Sequence, residues 1–182
     1  METSPRSRSK LTYAEYERIP DDGKRHEIID GEHHVNPAPG TCHQTVSRRI
    51  KFQLYEQIEL TGLGQVFDAP SDLQLSDFDI VQPDLVVVLE PKRAIITASR
   101  IEGVPDLIVE ILSPSSTQVD RFLKKELYRR SCILEYWVVA PEEPVVEQYV
   151  LAGDRYELAG RQSAEIVSRS IPAARVDLGR VW

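Results

Sequence analysis

The stretch VPDLIVEIL at residues 104–112 predicts a strand at the centre of the fold. It is apolar on both faces apart from its acidic residues, as expected of a strand that is covered on each side. A second stretch, VQPDLVVVL at residues 81–89, is equally rich in β-branched residues and predicts another central strand. Each stretch places a carboxylate among apolar side chains. Asp84 lies in residues 81–89 and Glu110 lies in residues 104–112.

These two carboxylates require an explanation, because an ionised carboxylate is costly to bury without a partner or a metal. Adjacent strands lie about 4.8 Å apart, so Asp84 and Glu110 can share one ion if they point to the same face. Mg²⁺, or Mn²⁺, suits such hard oxygen ligands, and the backbone carbonyl of Ile111 is a candidate third ligand. A turn-capping role for Asp84 and an arginine partner for Glu110 would explain either residue alone. The two together favour a metal site.

A lysine near this site must come from the helix predicted over residues 120–130. Leu112 occupies the position two residues after Glu110, where a conventional D/E-x-K arrangement has its lysine. On the helix, the spacing predicts a buried stripe formed by Val119, Leu123 and Leu127, with an adjacent row formed by Asp120, Lys124 and Tyr128. Lys124 therefore borders the core and is the candidate catalytic lysine, whereas Lys125 faces water. A surface position is the ordinary alternative for Lys124.

The same helix carries four cationic side chains, at Arg121, Lys125, Arg129 and Arg130. A cluster of this kind can hold a phosphate backbone, so Arg121 and Lys125 are candidate substrate-binding residues. A solvated charged helix face explains the four equally well.

The N-terminal half predicts a short helix, a hairpin and a long helix. Thr12 and Glu15 have the spacing of a capping box, and the helix that they open should end by Pro20. Two short strands at residues 26–35 flank an Asp-Gly pair that suits a tight hairpin turn. A long amphipathic helix is predicted over residues 41–60, because apolar residues recur every four positions at Val46, Ile50, Leu54 and Ile58.

Length and composition predict one domain over residues 11–182, behind a flexible N-terminal tail at residues 1–10. Hydrophobic residues make up 41% and charged residues 28%, as in an ordinary globular protein. The net charge of -7 argues mildly against a protein that coats nucleic acid, but only the field facing a substrate has to be basic. No apolar run approaches the roughly 20 residues that cross a bilayer. Two cysteines without a CxxC pair and no secretory signal favour the cytoplasm.

Several segments together resemble one known superfamily. They are LTYAEYERIPDDGKRHEIIDGE, PAPG-x-x-HQ, VQPDLVVV, GVPDLIVEILSPSS, D-x-x-x-K-x-x-x-Y and EYWVV, in this order and spacing. Over most of its length the chain is similar to the PD-(D/E)XK, or restriction-endonuclease-like, superfamily. Within it, the chain resembles the "putative restriction endonuclease" branch, domain of unknown function 820.

The resemblance implies a mixed α/β fold, with a central mixed β-sheet flanked by α-helices. It implies that the two buried carboxylates are metal ligands and that the family's migrated lysine is Lys124. It adds Glu27, in the HEIIDGE segment, as a candidate further acid, although a polar strand residue would look the same. His43 and Gln44 match a family position that faces the cleft, and a helix cap or a surface position is the alternative for both.

The predicted function is a Mg²⁺-dependent or Mn²⁺-dependent endonuclease that hydrolyses DNA phosphodiester bonds, in which Lys124 positions the attacking water. The alternative is a nucleic-acid-binding or regulatory protein on a nuclease scaffold without catalytic activity. A histidine metalloprotein is a third interpretation, but His33 and His34 are sequential in a strand and would point to opposite faces. A homodimer is the expected assembly, because two-fold dimers are the commonest and suit an enzyme that cuts both strands.

Overall fold

The computed structural model describes residues 10–113 and 119–182. Residues 1–9 of the predicted tail and the residues 114–118 that precede the predicted helix lie outside the described residues. The described parts form a mixed α/β structure with a six-stranded, a five-stranded and a two-stranded sheet. This architecture confirms the predicted mixed sheet and helices.

The strands and helices have the following bounds. The strands are β1 (Arg25–Ile29), β2 (Glu32–Asn36), β3 (Gly64–Asp68), β4 (Leu73–Ser76), β5 (Asp79–Val81), β6 (Leu85–Leu89), β7 (Ile101–Glu102), β8 (Leu107–Ile111), β9 (Glu135–Ala140), β10 (Val145–Ala152), β11 (Arg155–Gln162), β12 (Glu165–Val167) and β13 (Arg175–Asp177). The α-helices are α1 (Tyr13–Tyr16), α2 (Thr41–Ile58) and α3 (Lys125–Arg130). A π-helical turn, Val119–Lys124, leads directly into α3, and 3₁₀ turns span Glu90–Ile95 and Leu178–Arg180. Among the described residues, no helix is long and apolar enough to cross a membrane.

The six-stranded sheet has the order β11-β10-β9-β8-β6-β3. It is mixed, because β8 runs parallel to β9 and antiparallel to β6. The five-stranded sheet has the order β2-β1-β5-β4-β7, with β4 parallel to β7. Strands β6 and β8, which carry the two apolar stretches, are neighbours inside the six-stranded sheet, as the sequence predicted.

Side chains of β6 and β8 alternate between two hydrophobic clusters, one on each face of the sheet. On one face, Leu85 and Val109 pack with the apolar stripe of α2. On the other face, Val86 and Ile108 pack with Leu127 of α3. Both predicted central strands are therefore covered on each side, and α3 lies on the face to which Asp84 and Glu110 belong by alternation.

The N-terminal predictions are confirmed in type and place. Asp30 and Gly31 both have positive φ angles, of 53° and 77°, as the two-residue turn between β1 and β2 requires. The Thr12 backbone N–H donates to the Glu15 carboxylate in the predicted capping box, although α1 is only one turn long. Helix α2 ends two residues before the predicted boundary, and its four-residue apolar stripe is buried.

The predicted stripe of the last helix was wrong at Leu123, which is 43% exposed, whereas Lys124 is only 2% exposed. The reason is the π-helical turn, because a wider turn changes which residues face inward. Leu127 is buried as predicted. Lys125 does not simply face water, since its Nζ lies 3.6 Å from the centroid of the Tyr149 ring and burial lowers its pKa.

Candidate metal centre

Strands β6 and β8 bring the two predicted carboxylates together. Their antiparallel register pairs Leu85 with Val109 and so places Asp84, just before β6, opposite Glu110. Residues opposite each other in an antiparallel pair point to the same face. Asp84 is 2% exposed and Glu110 is 1% exposed. Both line one small cavity, which we call the central pocket.

The Asp84 carboxylate is held by three donors. Arg25 Nη1 donates to Oδ1 at 2.7 Å, while His43 Nε2, at 3.0 Å, and the Ile111 backbone N–H, at 2.8 Å, donate to Oδ2. Burial alone would raise the pKa of Asp84, but the hydrogen bond and charge of His43 and the charge of Arg25 outweigh it and lower the pKa. Asp84 is therefore ionised at neutral pH.

The Glu110 carboxylate is held by a lysine and a tyrosine. Lys124 Nζ lies 3.0 Å from Oε1, and the Tyr128 hydroxyl donates to the same oxygen at 2.5 Å. Burial raises the pKa of Tyr128 well above its ordinary value, and the nearby charges of Glu110 and Glu27 raise it further. The Tyr128 hydroxyl therefore remains a donor at any physiological pH.

Glu27 joins the site through the same lysine. Its Oε1 lies 2.9 Å from Lys124 Nζ and accepts the Gln82 backbone N–H at 2.7 Å, while its Oε2 accepts Asn36 Nδ2 at 2.7 Å. Glu27 belongs to β1 of the five-stranded sheet and Glu110 to β8 of the six-stranded sheet. One ammonium group thus connects the two sheets. Asp84, Glu110, Glu27 and Lys124 are called the candidate centre below.

The central pocket fits a small hard cation. Its volume of ≈ 20 Å³ has room for about one water or ion. Within the described ranges, no three His, Cys, Asp or Glu side chains are grouped closely enough to hold a metal by themselves. Mg²⁺ does not need such a group, since it is commonly held by one or two carboxylates and completes its shell with water and substrate oxygens. The opposed carboxylates of Asp84 and Glu110 match this requirement.

The predicted substrate-binding residues lie in different places. His43 contacts Asp84 and lines the central pocket, where its Nδ1 is buried without a hydrogen-bond partner in the described structure. Gln44 lines a larger groove of ≈ 490 Å³, which we call the neighbouring groove. Arg121 instead faces Glu147 of β10 at 3.9 Å, and Lys125 lies over a tyrosine of the same strand. The cationic row of the last helix is thus directed at the protein itself.

Sequence reasoning missed Arg25 and gave Tyr128 no role. Arg25 lies two residues before Glu27 on β1, and strand alternation puts both side chains on one face. That alternation was the available signal for Arg25. Tyr128 stands one helical turn after Lys124, in the row that the spacing identified, so its contact with Glu110 could have been inferred.

A sequence model of the family described as "Uma2: Putative restriction endonuclease" matches residues 13–178, which include the whole candidate centre. The chain belongs to the Uma2 family. This confirms the family resemblance that the sequence segments indicated. No curated protein matches this Uma2 chain.

A solved structure is similar to this Uma2 protein over nearly its whole length. It is the crystal structure of a "putative nuclease belonging to DUF820" from Anabaena variabilis, with a TM-score of 0.75 and 18% sequence identity. The match covers 94% of this chain and 97% of the other. At this identity the likeness establishes the fold, and it confirms the predicted mixed α/β class.

Proposed function

We propose that this Uma2 protein is a Mg²⁺-dependent endonuclease that hydrolyses DNA phosphodiester bonds, with Mn²⁺ as an alternative metal. The observation that carries the proposal is the pair of buried carboxylates, Asp84 and Glu110, opposed on central strands and facing one pocket with Lys124. The family description and the fold support a nuclease.

The metal would be held by the carboxylates of Asp84 and Glu110, with the backbone carbonyl of Ile111 as a further ligand. When bound, such an ion polarises a phosphoryl oxygen and lowers the pKa of water. The ligand side chains need no rearrangement of the backbone to face the pocket, because the register of β6 and β8 already aligns them. This preorganisation is what an electrostatic catalyst requires.

Lys124 would position the attacking water and offset the charge that develops on the phosphate. Its ammonium is held between Glu27 and Glu110, at 2.9 and 3.0 Å, so its position is fixed by two sheets. Tyr128 fixes Glu110 from the helix side by its hydroxyl. Glu27 therefore acts as a positioning residue, because its contacts orient the lysine.

A specific observation favours a second candidate, a nucleic-acid-binding or regulatory protein without catalytic activity. Both oxygens of Asp84 are engaged by protein donors, and Lys124 is paired with two carboxylates. The negative charges of the three carboxylates are thus balanced by cationic side chains of the protein itself. Calorimetry without any heat of Mg²⁺ or Mn²⁺ binding, together with retained DNA binding, would favour this candidate.

Plasmid cleavage by matched carboxylate variants tests the endonuclease. Asp84→Asn and Glu110→Gln each remove a ligand charge and should lower the cleavage rate by more than about a hundredfold, since a catalytic metal contributes several kcal/mol. Asp106→Asn is the control, because Asp106 is also buried but is held by the Leu89 N–H and by Lys92, outside the central pocket. An Asp84→Asn protein that cleaves as fast as the parent would exclude the proposed mechanism.

We also propose that the enzyme acts as a homodimer, since cutting both DNA strands suits a two-fold pair of identical centres. Sedimentation equilibrium of the parent protein, with and without a DNA duplex, measures the assembly. A monomer in both conditions would contradict this part of the proposal and leave the chemistry of one centre intact.

A further inference from the structure

Arg25 lies where the central pocket meets the neighbouring groove. It lines both cavities, and its side chain is 19% exposed. Its guanidinium therefore reaches the buried Asp84 from a position that a ligand in the groove can also reach.

The two oxygens of Asp84 differ in how far they are occupied. Oδ2 accepts hydrogen bonds from His43 Nε2 and from the Ile111 N–H, whereas Oδ1 accepts one from Arg25. A carboxylate oxygen offers about two lone-pair sites. Oδ2 is thus saturated, and a cation ligated by Asp84 would bind the oxygen that now holds Arg25.

Charge makes simultaneous occupation of Oδ1 unfavourable. A guanidinium does not lose its proton in proteins. Burial alone would lower the pKa of Arg25, but the neighbouring carboxylates of Asp84, Glu110 and Glu27 raise it. Two cations on one oxygen repel each other strongly in a poorly solvated site. A divalent ion at Oδ1 would therefore release the guanidinium from Asp84.

The released guanidinium has a suitable second partner. Its planar fork of N–H donors matches the oxygens of a phosphate and can bind two of them at once. The groove that Arg25 also lines is large enough for part of a nucleotide chain, at ≈ 490 Å³. The Arg25 guanidinium can thus bind either the Asp84 carboxylate or a phosphate.

We infer that Arg25 is an exchangeable cation, which neutralises Asp84 in the metal-free protein and moves to a DNA phosphate in the neighbouring groove when the metal binds. The inference rests on the proposed function and assigns a phosphate-binding residue to it. Metal and DNA then bind cooperatively, because each ligand favours the same position of Arg25 and the coupling is reciprocal.

The test compares Arg25→Gln with Arg100→Gln. Arg100 is a matched control, since its side chain is 20% exposed and paired with Glu102, and it lines neither cavity. Calorimetry with Mn²⁺ alone measures metal affinity. Fluorescence anisotropy of a short labelled DNA duplex, with Ca²⁺ in place of Mg²⁺, measures DNA affinity across a salt series.

Arg25→Gln should bind Mn²⁺ at least as tightly as the parent, because a competing cation is gone. It should bind DNA about tenfold more weakly in Ca²⁺. The slope of its logarithmic DNA affinity against logarithmic salt concentration should correspond to about one phosphate contact fewer than in the parent. Arg100→Gln should match the parent in both assays.

Weaker Mn²⁺ binding by Arg25→Gln, or unchanged DNA binding, would overturn the exchange. A parent protein that binds no Mn²⁺ would overturn the proposed function as well, so the two failures are distinguishable. If Arg25→Gln does not fold, Arg25→Lys takes its place in both assays. Lysine keeps the positive charge but lacks the planar fork of N–H donors that a guanidinium offers to a phosphate. DNA affinity equal to that of the parent would then overturn the exchange, and a severalfold loss with near-parental Mn²⁺ affinity would support it.

Discussion

Glu135 and Asp84 are both buried carboxylates, but the donors to Glu135 are all neutral, whereas those to Asp84 include a guanidinium. Glu135, at the start of β9, accepts six hydrogen bonds, given by Trp137 Nε1, Gln148 Nε2, the Ser168 hydroxyl, the Arg169 N–H, and the N–H and hydroxyl of Ser170. Within the described residues, no lysine or arginine side chain forms an ion pair with it. Asp84 is instead paired with the guanidinium of Arg25.

We interpret the difference as that between a structural carboxylate and the proposed metal ligand. Fixed neutral donors hold Glu135 in one environment and attach the segment at residues 168–170 to the six-stranded sheet. In the proposed exchange the guanidinium beside Asp84 is replaced by another cation, and the carboxylate lines a pocket that has room for one. Burial is common to both carboxylates, so it does not distinguish them. Asp106 is buried and paired with a lysine as well, but it does not line the central pocket, so the cationic partner and the pocket together set Asp84 apart.

The largest expected effect is a loss of folding stability when Glu135 is replaced. Glu135→Leu leaves six donors without their acceptor, and three of the lost hydrogen bonds, from Trp137, Gln148 and Ser168, are buried. Each buried unsatisfied group costs about 1–3 kcal/mol, so the free energy of unfolding should fall by about 3–9 kcal/mol. Urea unfolding of the variant and the parent measures this change in the free energy of unfolding. Glu135→Gln is the control, because its amide oxygen still accepts hydrogen bonds and the loss should be smaller. Equal urea midpoints for Glu135→Leu and the parent would refute this role.

The next effect is catalytic. Lys124→Met should lower the cleavage rate about 10²–10³-fold, as the loss of one buried electrostatic stabiliser does in other enzymes. It should also destabilise the metal-free protein by about 3 kcal/mol, because Glu27 and Glu110 lose their shared cation. Lys92→Met, which removes the partner of Asp106, is the control and should keep the parental rate. Undiminished cleavage by Lys124→Met would show that the lysine has no catalytic part.

Metal addition should distinguish the two carboxylate sites directly. Mg²⁺ at about 100 times its dissociation constant should raise the free energy of unfolding by about 2.7 kcal/mol. The same increase is expected for Glu135→Gln, whose substitution lies outside the candidate centre, whereas Asp84→Asn should gain much less. Urea midpoints with and without Mg²⁺ provide the comparison. Equal stabilisation of all three proteins would mean that the ion binds elsewhere.

The smallest expected effect concerns Tyr128. Tyr128→Phe removes one of the donors to Glu110 and leaves Lys124 in place, so cleavage should fall about tenfold, as for other groups that orient a metal ligand. Tyr156→Phe is the control, since its hydroxyl donates to the Ile133 carbonyl away from the central pocket. A loss as large as that of Lys124→Met would indicate that the tyrosine acts on the substrate itself.

Local patterns predicted the elements well. The four-residue spacing of Val46 and Ile50 encodes the inner face of α2, and Asp30-Gly31 encodes the turn of the first hairpin, because both depend on neighbours along the chain. The two central strands followed from their apolar composition. Their pairing was inferred from the shared chemistry of their carboxylates, and the register confirms that they are neighbours.

The depth and partners of the site were harder to predict. The cost of burial identified Asp84 and Glu110, but the same criterion applies to Glu135 in EYWVVA and cannot tell the two kinds of site apart. Helical spacing selected Lys124, but no sequence rule predicts the π-helical turn that buries it. Alternation along β1 places Arg25 on the same face as Glu27, but its contact with Asp84 joins residues 59 positions apart on two sheets, and no periodicity encodes that contact.

The ammonium that joins Glu27 of one sheet to Glu110 of the other also constrains how this protein can evolve. A lineage that lost the proposed chemistry could not simply discard Lys124, because two buried acids would remain without this counterion. Descendants that have lost one of the three charged residues should therefore have replaced the other two as well, by neutral side chains of similar size. Replacement of one member alone in a relative should be rare, because each single loss leaves a buried charge without its partner.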